Sequence, residues 1–119
     1  MCILLVEDEF LIRAAAQFVL EDAGYEVLDA EHGEEACDYL DQHPGRFTCL
    51  VTDYHMPGAI NGEHLIVRMR ETYPTTPMIL ASAFPQATFP EWRELYAVSL
   101  LVKPYELDEL VRMVRMLMR

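Results

Sequence analysis

Short apolar runs alternate with amphipathic segments along the whole chain, and this pattern predicts a regular succession of strands and helices. The predicted strands are residues 3–6, 26–30, 50–53, 78–82 and 99–103. Three of them are continuous apolar runs rather than alternating ones. Such runs are typical of a parallel sheet whose two faces are both covered by helices.

Helical periodicity fills the gaps between the predicted strands. The predicted helices are residues 10–23, 34–42, 63–72 and 106–118, with a shorter one at about 89–97. Pro85 and Pro90 exclude one long helix before the last strand, so a longer loop is expected there. The five βα units predict one doubly wound α/β domain over residues 1–119, with strand order 2-1-3-4-5 and right-handed crossovers.

Composition narrows the classes of function. The formal charge of −11 argues against direct binding of nucleic acid, which requires basic patches. No apolar stretch has membrane-spanning length and no leader precedes the first strand, so a cytoplasmic location is expected. Three cysteines without Cys-x-x-Cys spacing indicate reduced structural thiols rather than a disulfide or a zinc site.

Charged and hydroxyl side chains follow the predicted strands. Glu7 and Asp8 follow the first strand, Asp53 ends the third and Ser82 ends the fourth. Lys103, which is the sole lysine, ends the fifth. Because the carboxyl ends of parallel strands share one edge of the sheet, these side chains are expected to lie close together. Three carboxylates in one cleft repel each other unless a cation joins them.

The acidic residues are of the type that binds magnesium. Mg²⁺ prefers hard oxygen ligands and keeps several waters. Asp8 and Asp53 supply two oxygens, Glu7 can hold a metal-bound water, and the main-chain carbonyl of His55 offers a further ligand. Mn²⁺ is expected to substitute for Mg²⁺ at such a site.

A carboxylate beside a divalent cation indicates phosphoryl chemistry. Asp53 can act as the nucleophile and form an acyl phosphate. The negative charge of the transferring group must then be offset. The ammonium of Lys103 and the hydroxyl of Ser82 are suited to that purpose.

Four motifs carry a family resemblance over essentially the whole chain. They are Leu-Val-Glu-Asp-Glu at 5–9, Thr-Asp-Tyr-His-Met-Pro at 52–57, Ala-Ser-Ala at 81–83 and Val-Lys-Pro-Tyr at 102–105. With these motifs the chain resembles a bacterial receiver domain of two-component response regulators. The resemblance implies a flavodoxin-like fold with five helices.

The same resemblance implies a role for each residue of the motifs. Asp53 would be the phosphoacceptor, Glu7 and Asp8 the acidic pair, Ser82 the switch hydroxyl and Lys103 the phosphate-binding lysine. Such a protein takes the phosphoryl group from a sensor histidine kinase or a histidine phosphotransfer protein and later hydrolyses its own acyl phosphate. It is therefore a phosphorylated switch rather than a turnover enzyme.

The expected output is a contact with a downstream protein, because no output domain follows the fifth predicted helix in this sequence. A stand-alone switch or a relay component fits this length, and a receiver cut from a hybrid kinase stays open. Three departures from the family pattern concern the output surface. Leu100 stands where an aromatic residue is usual, residues 95–99 contain no glycine, and the loop at 57–62 is one residue longer than the commonest form.

The first predicted helix is more apolar than one sheet face requires. Phe10, Ala14, Ala16 and Phe18 widen its apolar arc. The arc is interpreted as a docking face for the helices of a kinase, with a broad core contact as the alternative.

Three other functions are alternatives to a phosphorylated switch. A metal-dependent phosphohydrolase would need its nucleophilic aspartate after the first strand and a cap region. A flavin-binding module would need a glycine- and hydroxyl-rich loop where residues 7–9 are acidic. A non-phosphorylated adaptor would have no need of Asp53 and Lys103, both of which are present.

Overall fold

The structure is a computed structural model that describes residues 2–83 and 96–118. Five parallel strands form one sheet in the order β2-β1-β3-β4-β5. The strands are β1 (Cys2–Val6), β2 (Glu26–Ala30), β3 (Phe47–Asp53), β4 (Met78–Ser82) and β5 (Val98–Val102). The predicted strand order is confirmed. The main differences are that β3 begins three residues earlier than predicted, and that β5 ends at Val102 instead of Lys103.

The described residues form four helices of the predicted five. They are α1 (Phe10–Asp22), α2 (Gly33–Gln42), α3 (Gly62–Thr72) and α4 (Leu107–Leu117). The short helix predicted at about 89–97 falls largely on residues 84–95, which lie outside the described residues. No helix in the described part of the chain has the length and apolar character needed to cross a membrane.

Apolar side chains bury both faces of the sheet. One cluster includes Leu4, Val6, Leu50, Leu65 and Leu80, and the opposite cluster includes Ile3, Leu5, Val51, Ile79 and Leu110. Successive residues of a strand point to opposite faces, so a continuous apolar run fills both clusters at once. This explains why the strands read as unbroken apolar runs. All three cysteines are buried and unbridged, which agrees with structural thiols.

Helix α1 contributes less to a docking face than its sequence predicted. Ala16 is fully buried in the core, so its inclusion in an exposed apolar arc was wrong. Its methyl group packs against the sheet because positions 13, 16 and 20 of α1 face inward. Phe10, Leu11 and Phe18 are exposed, and they retain an apolar outer surface on the helix.

The turn before β5 lacks glycine and has an unusual backbone. Ala97 adopts a φ of 54°, in the left-handed region that favours glycine. Beside it, the carbonyl oxygen of Tyr96 accepts hydrogen bonds from Nε and Nη2 of Arg70 at 3.1 and 2.8 Å. Leu100, in the usually aromatic position, is half-buried in β5 opposite Leu80.

Candidate functional site

The strand register places the predicted site residues at one edge of the sheet. Asp53 is the last residue of β3, and Ser82 is the last residue of β4. Glu7 follows β1, and its N–H donates to the carbonyl oxygen of Ala30 at 3.1 Å. Lys103 follows β5, and its N–H donates to the carbonyl oxygen of Ser82 at 2.9 Å. These backbone bonds extend the parallel pairing by one residue and hold the charged side chains level with each other.

The ammonium of Lys103 lies between two buried carboxylates. Its Nζ is 2.6 Å from Oδ1 of Asp53 and 3.2 Å from Oε1 of Glu7. Asp53 is 4% exposed and Glu7 is 3% exposed, whereas the lysine is partly open to solvent. The other oxygen of Glu7, Oε2, accepts a hydrogen bond from the N–H of Glu9 at 3.0 Å. One partly exposed positive charge therefore faces two buried negative ones.

This arrangement separates the proton affinities of the two carboxyl groups. Burial, assisted by the adjacent Glu7 carboxylate, raises the pKa of Asp53 to about 8 although Lys103 opposes the shift. Burial also acts to raise the pKa of Glu7, but hydrogen bonds with Asp53, the N–H of Glu9 and Lys103 outweigh it and lower that pKa. In the absence of a further positive charge, Asp53 is thus the group that holds a proton.

The carboxylates also fit a hard divalent cation. Glu7, Asp8 and Asp53 each offer an oxygen within 4.8 Å of the others. Oδ2 of Asp53 is buried, and among residues 2–83 and 96–118 it has no hydrogen-bond partner. A buried carboxylate oxygen without a partner is rare and requires an explanation. Because Asp8 is exposed, this side of the cluster is open to water, as Mg²⁺ requires.

Comparison with known proteins agrees with this arrangement. A family model described as the response regulator receiver domain matches residues 3–115. The chain belongs to this receiver-domain family. It is 32% identical over 116 residues to the sensor kinase CckA of Brucella abortus, and 36% identical over 110 residues to the transcriptional regulatory protein CrdR of Helicobacter pylori. These matches cover 95% and 91% of the chain but only 12% and 50% of the two relatives.

Solved structures show the same receiver fold. The receiver domain of the hybrid histidine kinase CckA is 32% identical, with a TM-score of 0.84 and full coverage of both chains. The response regulator TrrA of Thermotoga maritima, solved in complex with Mg²⁺-BeF, is 30% identical. Its TM-score is 0.82, and the match covers 98% of this chain and 97% of that one. This receiver is accordingly a phosphoacceptor signalling domain of the two-component type.

His55 lies beside the acidic cluster of the receiver. Its side chain is exposed, and its ring meets that of Tyr54 edge-on at 4.7 Å between centroids. His55 and Asp8 line one open cavity of about 540 Å³, together with residues of the loop after β3. A metal-binding role of the His55 main-chain carbonyl stays a prediction.

Two residues near the receiver site were missed from the sequence. Tyr105 lines a mostly apolar cavity of about 530 Å³ together with Lys103 and Leu11, and burial raises the pKa of its hydroxyl to about 12. Arg13 is buried and donates a hydrogen bond to the carbonyl oxygen of Glu7. The sequence did contain a signal for Arg13, because it is a single arginine within a largely apolar helical stretch.

Proposed function

We propose that this receiver accepts a phosphoryl group on Asp53 from a phosphohistidine. The observation that supports Asp53 is its Oδ2 atom, which is buried at the end of β3 without a hydrogen-bond partner in the described part of the chain. Its second oxygen, Oδ1, contacts the ammonium of Lys103. One carboxylate oxygen is thereby oriented by a cation while the other is available to react.

The transfer forms an oxygen–phosphorus bond at Asp53 and breaks the nitrogen–phosphorus bond of the donor, whose imidazole leaves. Lys103 is placed to neutralise charge on the arriving phosphoryl oxygens. The hydroxyl of Ser82, at the adjacent strand end, is the proposed donor to the phosphorylated group. Later hydrolysis of the acyl phosphate by water would reset the switch.

Glu7, Asp8, Asp53 and the main-chain carbonyl of His55 are the proposed ligands of Mg²⁺, for which Mn²⁺ could substitute. When bound, the cation supplies positive charge that offsets the phosphoryl oxygens and keeps Asp53 ionised. Lys103 contacts both Glu7 and Oδ1 of Asp53, so Oδ2 of Asp53 and the carboxylate of Asp8 have the greater freedom to bind a cation.

The proposed donor is a sensor histidine kinase or a histidine phosphotransfer protein. Phe10, Leu11 and Phe18 form the exposed α1 surface. The apolar cavity lined by Leu11, Lys103 and Tyr105 continues this surface toward the site. A helical donor that covers the α1 surface would bring its phosphohistidine near Asp53. The downstream protein stays unidentified, and a cytoplasmic receiver domain over residues 1–119 is part of the proposal.

A mass measurement tests the phosphoacceptor. The protein is incubated with Mg²⁺ and acetyl phosphate and its intact mass is recorded. We expect one phosphoryl adduct in the wild type and in Asp38→Asn, an exposed control on α2, and no adduct in Asp53→Asn. An adduct retained by Asp53→Asn, or no wild-type adduct with any donor including a cognate kinase, contradicts the proposal.

A kinetic measurement tests the docking surface separately. The double variant Phe10→Glu, Ala14→Glu places two charges on the outer side of α1, where both residues are exposed. We expect slower transfer from a kinase but unchanged labelling by acetyl phosphate, because the small donor needs no docking surface. Equal transfer rates from the kinase would remove the α1 surface from the proposal.

A further inference from the structure

Arg13 is a buried cation that the phosphoryl chemistry described above does not use. It is the fourth residue of α1 and is 7% exposed. Its Nη1 donates to the main-chain oxygen of Glu7 at 2.9 Å, and its Nε donates to Oδ2 of Asp29 at 3.1 Å. A third nitrogen, Nη2, is 3.8 Å from Oε1 of Glu31. The guanidinium therefore connects α1, the end of β2 and the turn that follows β1.

The hydrogen bond to Glu7 forms just beyond the end of β1. The N–H of Glu7 still pairs with the carbonyl oxygen of Ala30 on the β2 side. The carbonyl oxygen of Glu7, by contrast, accepts from the side chain of Arg13. The backbone N–H and the carbonyl oxygen of Glu7 are therefore both hydrogen-bonded, and the peptide that joins Glu7 to Asp8 has a defined orientation.

The orientation of the Asp8 carboxylate depends on this peptide more than the orientation of the Glu7 carboxylate does. The Glu7 carboxylate has its own partners in Lys103 and the N–H of Glu9. Asp8 is exposed, and among the described residues no side-chain hydrogen bond orients its carboxylate. The direction of the Asp8 side chain is then set by its backbone, and that backbone begins at the carbonyl that Arg13 holds.

The charge of Arg13 is balanced away from the acidic cluster. Its ionic partners are Asp29 and Glu31, which belong to β2 and the turn after it. Toward the cluster it binds a neutral carbonyl rather than a carboxylate. It therefore orients the turn without occupying an oxygen that a divalent cation would use.

We propose that Arg13 is a positioning residue for the divalent-cation site, acting through the peptide that joins Glu7 to Asp8. The inference rests on the proposed cation site. Residues that orient metal ligands from outside the ligand shell commonly change metal affinity by ~10- to 100-fold when they are substituted. Because only Asp8 depends on this support, the lower end of that range is expected.

Titration calorimetry of the full chain with Mg²⁺ tests this role. Arg13→Met keeps the apolar stem but removes every donor, and we expect its Kd for Mg²⁺ to rise about tenfold. Asp29→Asn is the matched control, because it weakens the ion pair while Arg13 keeps its hydrogen bond to Glu7. We expect its Kd to change less than about twofold, since the ligand turn stays oriented. Urea unfolding of each variant shows that both are folded during the titration.

Each outcome decides between the two proposals. If the wild type binds no Mg²⁺, the cation site itself is wrong. If the wild type binds Mg²⁺ and Arg13→Met binds it equally well, only the role of Arg13 is wrong. Equal weakening in Asp29→Asn would mean that Arg13 acts through general stability, which also overturns the inference. Should Arg13→Met fail to fold, Arg13→Leu, which also lacks every donor, is titrated in its place, with the same criteria.

Discussion

Substitution of Asp53 by asparagine is expected to stabilise the protein when no divalent cation is present. The folded state raises the pKa of Asp53 to about 8 from its ordinary value of 3.8, because burial and Glu7 disfavour its charge. A group whose folded pKa is raised favours folding while it is protonated and disfavours folding once it ionises. The wild type should therefore lose stability as the pH rises from about 4 to about 8. Asp53→Asn keeps the shape of the side chain and carries no charge, so this variant should not lose stability for that reason.

The raised pKa of Asp53 sets an upper limit on the stabilisation expected from Asp53→Asn. Each pKa unit corresponds to about 1.36 kcal/mol, so complete ionisation of Asp53 costs at most about 6 kcal/mol. Asparagine also loses the ion pair with Nζ of Lys103 at 2.6 Å, which offsets part of the gain. We expect a net stabilisation of about 1–3 kcal/mol near pH 8 and almost none near pH 4.

Urea unfolding in EDTA across this pH range measures the difference. Asp38→Asn removes an equal charge from an exposed position and should change the free energy of unfolding by less than about 0.5 kcal/mol. Added Mg²⁺ should then stabilise the wild type and Asp38→Asn but not Asp53→Asn, by about 2.7 kcal/mol at a hundredfold excess over the Kd. If Asp53→Asn is no more stable than the wild type at pH 8, or its advantage does not grow with pH, the buried-charge argument is wrong.

Three further predictions concern stability and thiol chemistry. Ala97→Gly should raise the free energy of unfolding by about 0.5–1 kcal/mol, because glycine accepts the φ of 54° without the steric cost to alanine; a lower unfolding midpoint would contradict this. Asn61→Ala should lower it by about 1 kcal/mol, since Oδ1 of Asn61 accepts from the N–H of His64 at the start of α3; an unchanged urea midpoint would refute the cap. Thiol titration with a disulfide reagent should find Cys2, Cys37 and Cys49 unreactive until urea unfolds the protein. All three thiols are buried, and burial raises the pKa of Cys49 to about 12. Rapid labelling of the native protein would refute this expectation.

The sequence was sufficient for the fold class and for the expectation that Glu7, Asp8, Asp53 and Lys103 lie close together. Parallel strands buried on both faces must be nearly continuous in apolar character, so their carboxyl ends are visible as the points where charge begins. Asp53 could therefore be assigned to a strand end next to Glu7, Asp8 and Lys103. Periodicity is less informative about where strands begin and end, because residues near strand ends, such as Phe47 and Lys103, do not interrupt the pattern of the strand or of the segment beside it.

The tertiary structure decided which long-range partners those residues have. Helical spacing showed that Arg13 and Ala16 lie on α1, but the crossover back onto the sheet put both on the buried side. The pairing of Lys103 with Asp53 depends on distances between strands that are far apart in the chain, and so does the lack of a hydrogen-bond partner for Oδ2 of Asp53 among the described residues. Periodicity is a local property that assigns a face to each residue. Contact geometry and the pKa of a buried group arise only after distant elements have packed together.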